Sequence, residues 1–75
     1  MNIDVEVINF IKGQILCNPN VEAGEVWRIS RLAEKDVTTY SLMVKWMEAT
    51  DPVERDNIYQ DLIYREKTTT WQILH

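Results

Sequence analysis

Val7, Ile8, Ile11 and Ile15 recur between Asp4 and Cys17 with polar residues between them, and an apolar set at i, i+1, i+4 and i+8 predicts one face of a helix. Asp4 is placed to cap its start and Asn18-Pro19-Asn20 to stop it. A second period overlaps the first. Ile3, Val5 and Val7 alternate with Asn2, Asp4 and Glu6, as in a half-buried strand, and Gly13 weakens a helix interior. The alternative to a helical start is therefore a short strand over residues 2–7.

After the Asn-Pro-Asn turn, Asn20 offers a cap, Gly24 weakens the first turn, and the secure helix begins near Glu25. Val26, Ile29, Leu32 and Ala33 form its apolar stripe, and Arg28, Arg31, Glu34 and Lys35 fall mostly outside it. Asp36 or Thr38 then caps a third helix. Tyr40, Met43, Val44 and Met47 supply the cleanest amphipathic pattern in the chain, at i, i+3, i+4 and i+7.

Asp51-Pro52-Val53-Glu54 joins a capping residue, a proline at the first helical position and an acid at the third, so a fourth helix starts at Pro52. The pattern carries it to about Glu66. It buries some of Ile58, Tyr59, Leu62 and Ile63, with Asp51/Arg55 and Asp61/Arg65 spaced for i,i+4 ion pairs. Thr68, Thr69 and Thr70 interrupt helix propensity, and residues 70–74 read as a strand, a loose tail or a last helical turn. A strand at 2–7 has only that tail to pair with.

The expected fold is all-α, a small bundle of three to four short helices formed by residues 1–75 as one domain. The alternative is an α+β fold in which the two termini pair as strands. With 75 residues, a dinucleotide-binding α/β fold does not fit. A core this small often takes support from disulfides, metal or self-association. Cys17 is the only cysteine and His75 the only histidine, so neither a disulfide within the chain nor a zinc site of Cys and His is available. Self-association or docking on a partner is left. The unpaired cysteine suits a reducing cytoplasm, and no run of about 20 apolar residues is present to span a bilayer.

Candidate chemistry is sparse. Cys17 and His75 make a poor nucleophile and base because no third residue orients them, and Cys17 reads as a small apolar residue buried at a helix end. The acids at 51, 54, 56 and 61 lack the glycine and alternating ligands of a calcium loop and read as capping and helix-start charges. Neither isolated glycine makes a phosphate-binding loop. The expectation is a protein with no catalytic residues, no metal and no cofactor.

Charge and aromatic content are more informative. The net charge is −4, and it is unevenly spread. Residues 25–47 carry four cations against three acids, whereas residues 48–66 carry Arg55 and Arg65 against six acids. Three tryptophans are generous for this length, and Trp27 and Trp46 sit off the best apolar lines. Trp27, Arg28, Arg31, Trp46 and Trp71 are therefore the candidate partner-binding residues, of the types enriched at interface hot spots. The function expected is a small regulatory or protein–protein interaction module that binds another protein or itself as a homo-oligomer.

The alternative is a nucleic-acid-binding regulator centred on residues 25–48. Two helices joined through Asp36-Val37 loosely resemble a helix-turn-helix unit, with Thr39, Tyr40, Ser41 and Lys45 facing the groove or phosphates and Arg28 and Arg31 as positioning charges. The short turn, the lack of a turn glycine and the adjoining acidic segment oppose it.

Overall fold

A computed structural model describes residues 2–74, with side chains described for residues 2–69. The element order is α1 (Val5–Leu16), α2 (Ala23–Ala33), α3 (Val37–Glu48) and α4 (Pro52–Leu74). The architecture is the expected all-helical bundle, and no strand occurs among the described residues. The N-terminal alternation does not produce a strand, because Ile8, Ile11 and Ile15 are all needed in the core and only a helix puts them on one side.

Three of the four starts use the caps that the sequence offers. Asp4 accepts from the Glu6 amide at 2.9 Å, Asp36 from the Thr39 amide at 3.3 Å, and Asp51 from the Val53 amide at 3.0 Å, each satisfying a first-turn N–H that has no partner inside its helix. α2 differs. It begins at Ala23, ahead of Glu25, and its N-cap, Glu22, makes no side-chain bond. Asn20 is not its cap; its own amide donates to Asn18 in a local turn at 3.1 Å.

α3 is the centre of the bundle. Like α2, it packs against all three other helices, and its packing on α4 is the most extensive in the bundle, whereas α1 and α4 do not meet among the described residues. With neighbours on three sides it buries Thr39, Tyr40, Met43 and Trp46, a line through positions 39, 43 and 46 that is displaced from the predicted one; Val44 and Met47 are only partly buried at its margin. Its partners contribute Ile8, Ile11 and Ile15 from α1, Val26, Ile29 and Ala33 from α2, and Tyr59 and Leu62 from α4.

α4 continues through the threonines to Leu74 rather than ending near Glu66. A threonine costs only a few tenths of a kcal/mol more than a good helix former, and Arg65 and Glu66 are tied to α3 and α2 just before that stretch. Neither i,i+4 pair forms. Arg65 turns to Asp36, and Arg55 donates to the carbonyls of Ala49 and Met47, at 2.7 and 3.4 Å, while stacking 4.6 Å from the Trp46 ring centroid. Carbonyls at the end of α3 lack helical partners, so Arg55 gains more there than from an exposed ion pair.

No helix among the described residues is long and apolar enough to cross a membrane.

Candidate functional site

Trp27, Arg28 and Arg31, all exposed, lie on the outer face of α2. Val26, Ile29, Ser30 and Ala33 face the core, and the helical period then sends Trp27, Arg28 and Arg31 outward. Ser30 is accommodated in that core because its hydroxyl donates to the Val26 carbonyl at 2.8 Å. Trp27 remains 54% exposed, a costly arrangement for the largest apolar side chain.

The indole is not loose. The Lys12 ammonium from α1 lies 3.9 Å from its ring centroid, within cation–π range. On the other flank, the Arg28 Nε is 3.4 Å from a carboxylate oxygen of Glu66, whose side chain is almost wholly buried while that of Arg28 is half exposed. Arg31 is exposed one turn after Trp27, and Lys35 is exposed just beyond the helix end. Trp27, Arg28 and Arg31 are thus exposed along one arc of α2, with Glu34 and Lys35 exposed at its end; Lys12 from α1 contacts the indole and Glu66 from α4 pairs with Arg28.

Of the residues expected to bind a partner, Trp27, Arg28 and Arg31 therefore come together on one helix face. Trp46 does not join them. It is 5% exposed, since it lies on the side of α3 that forms the core and its ring packs under Arg55. The Trp71 side chain lies outside the described residues. Lys12 was missed from sequence because its place beside Trp27 depends on how α1 meets α2, although a lysine within an apolar helix pattern is the kind of residue that covers a neighbour's ring.

The residues of the nucleic-acid alternative are scattered. Thr39 and Tyr40 are buried: the Thr39 hydroxyl donates to Asp36, and Tyr40 belongs to the core. Ser41 is half-buried. Lys45 is exposed but shares a shallow groove with Glu48, Glu54 and Asp61, acids that repel a phosphate backbone. Arg28 and Arg31 stand on a different helix.

A concavity of about 600 Å³ lies where the α1–α2 turn meets the α3–α4 corner and includes Cys17, Val21, Trp46, Arg55 and Tyr59. Two of its polar side chains serve the fold: Arg55 closes the end of α3, and the Tyr59 hydroxyl donates to Glu25 at 3.5 Å. Burial, followed by the charge of Glu25, raises the Tyr59 pKa. Cys17 is exposed, not buried, because it caps α1 beyond the last core residue, Ile15. Among the described residues, no group of three or more His, Cys, Asp or Glu side chains is placed to hold a metal ion.

Comparison of the chain with protein-family models, with curated proteins and with solved structures gives no match.

Proposed function

We infer that this four-helix domain is a non-catalytic interaction module, and that its working surface is the outer face of α2 with Trp27 at the centre. The observation that carries this reading is Trp27 itself, more than half exposed yet held in place by Lys12. An ordered, exposed aromatic loses little conformational freedom on binding, and Trp and Arg are the residue types most often dominant at interfaces. Arg28 and Arg31 give the face its charge, favouring a protein surface that offers carboxylates.

The test is capture of partners by the tagged chain from its native host, with and without nuclease. Trp27→Ala and Arg31→Glu are expected to abolish capture while leaving the circular dichroism spectrum unchanged. Capture that is indifferent to both substitutions refutes the reading. Capture that disappears with nuclease transfers the function to nucleic acid and to Arg28, Arg31 and Lys45.

A further inference from the structure

The exposed apolar residues of the chain do not all lie near Trp27. A second set occupies α4, where Tyr59, Leu62 and Glu66 are buried and Val53 and Tyr64 are 67% and 73% exposed. Val53, Gln60 and Tyr64 follow one another at i, i+7 and i+11, so they share one line along the helix, and all three are exposed. That line faces away from the side that α4 packs into the bundle.

Its charge is opposite to that of the α2 face. Glu54, Asp56 and Asp61 are exposed along the same stretch, and Asp51 caps its start. The one arginine within it, Arg55, is withdrawn to the carbonyls of α3. The stretch of α4 from Val53 to Tyr64 thus presents Glu54, Asp56 and Asp61, with Lys67 the exposed cation just beyond it, while α2 and its C-terminal end present Arg28, Arg31 and Lys35 against the single exposed acid Glu34, with Lys12 beside Trp27. α4 meets α2 through Glu66 and Arg28, and this contact leaves the outward faces of the two helices uncovered.

We propose that the outer face of α2 in one copy docks on the outer face of α4 in a second copy, head to tail. The proposal rests on the reading of α2 as the interaction surface and names the occupant: the acidic Val53–Tyr64 face of the same chain. Two different patches meeting make a heterologous contact, which leaves one free patch of each kind on every dimer and permits further addition. Opposite charges would speed and orient the encounter, and the apolar residues would supply the buried centre.

The experiment is sedimentation velocity on the full chain over a wide concentration range at low salt, for the wild type, Arg31→Glu, Tyr64→Ala and an equimolar mixture of the two variants. Circular dichroism checks the fold, and Lys35→Glu replaces Arg31→Glu if that variant unfolds. The wild type is expected to associate beyond the dimer as concentration rises. Each variant alone is expected to associate about tenfold more weakly or less, as for the loss of one strong interface contact. The mixture regains one intact contact, Trp27 face of the Tyr64→Ala chain against α4 face of the Arg31→Glu chain, and is expected to stop at the dimer. A wild type that stays monomeric throughout overturns the proposal and leaves the interaction reading standing if host-partner capture still depends on Trp27. Association that survives either substitution at full strength also overturns it.

Discussion

The Arg65 guanidinium clasps the Asp36 carboxylate with two bonds, Nε to Oδ2 at 2.7 Å and a terminal nitrogen to Oδ1 at 3.2 Å, and so ties α4 to the residue that caps α3. The same carboxylate receives the Thr39 amide and hydroxyl. One side chain thereby starts a helix and fixes the distance between two helices, and a paired, hydrogen-bonded carboxylate of this kind resists protonation.

That resistance makes a pH prediction. The hydrogen bond from Arg65, assisted by Thr39, lowers the Asp36 pKa from 3.8 to about 2. A folded-state pKa below the unfolded one means that the contribution to stability is complete above about pH 4 and is lost as pH falls from there toward 2. Allowing for solvent screening at a pair that is about a quarter to a third exposed, it amounts to about 1–2 kcal/mol. Asp36→Asn is expected to destabilise the chain at pH 7 and to flatten the fall in stability between pH 4 and 2, as read by urea unfolding. An unchanged slope in that range would mean that other carboxylates govern the acid response.

Arg55 gives a second prediction. It combines bonds to the Ala49 and Met47 carbonyls with a stack on Trp46. Arg55→Met keeps much of the stem but leaves those carbonyls to water, and is expected to cost about 1–3 kcal/mol. A loss below about 0.5 kcal/mol would show that the corner is solvated without cost.

The two tryptophans separate core from surface. Trp46→Ala empties a buried site and is expected to cost about 3–5 kcal/mol, which is comparable to the whole stability of a domain this small. Trp27→Ala, on an exposed face, is expected to cost about 1 kcal/mol or less. Thermal melts of the two variants side by side check the difference.

Salt provides a fourth test. Exposed opposite charges are screened beyond about 10 Å at 0.1 M ionic strength and beyond about 3 Å at 1 M, so self-association through α2 and α4 is expected to weaken steadily as sodium chloride rises. Association that strengthens with salt would point to an apolar contact elsewhere on the chain.

How far the sequence reveals this molecule differs from element to element. The helix count, the caps at Asp4, Asp36 and Asp51, and the outward turn of Trp27 follow from local chemistry and helical period. Trp46 does not, because its burial depends on three helices converging on α3, a fact absent from any window of neighbouring residues. The length of α4 was obscured by its threonines, whose modest propensity yields to anchoring by Arg65 and Glu66. Arg55 and Arg65 look like partners for the acids four residues before them; tertiary acceptors, the carbonyls ending α3 and the Asp36 carboxylate, take both. On the candidate face, Arg28 and Arg31 were legible from their place outside the apolar stripe, and Lys12 was not, since it reaches Trp27 only through packing of α1 on α2.

The central claim is that Trp27 serves binding and not folding, and the most direct measurement takes Trp27→Ala through a thermal melt and a partner-capture assay in parallel with the wild type. The account predicts a melting temperature within a few degrees of the wild type and a loss of capture. A melt that drops as far as that of Trp46→Ala, with capture by the remaining folded protein intact, would contradict it.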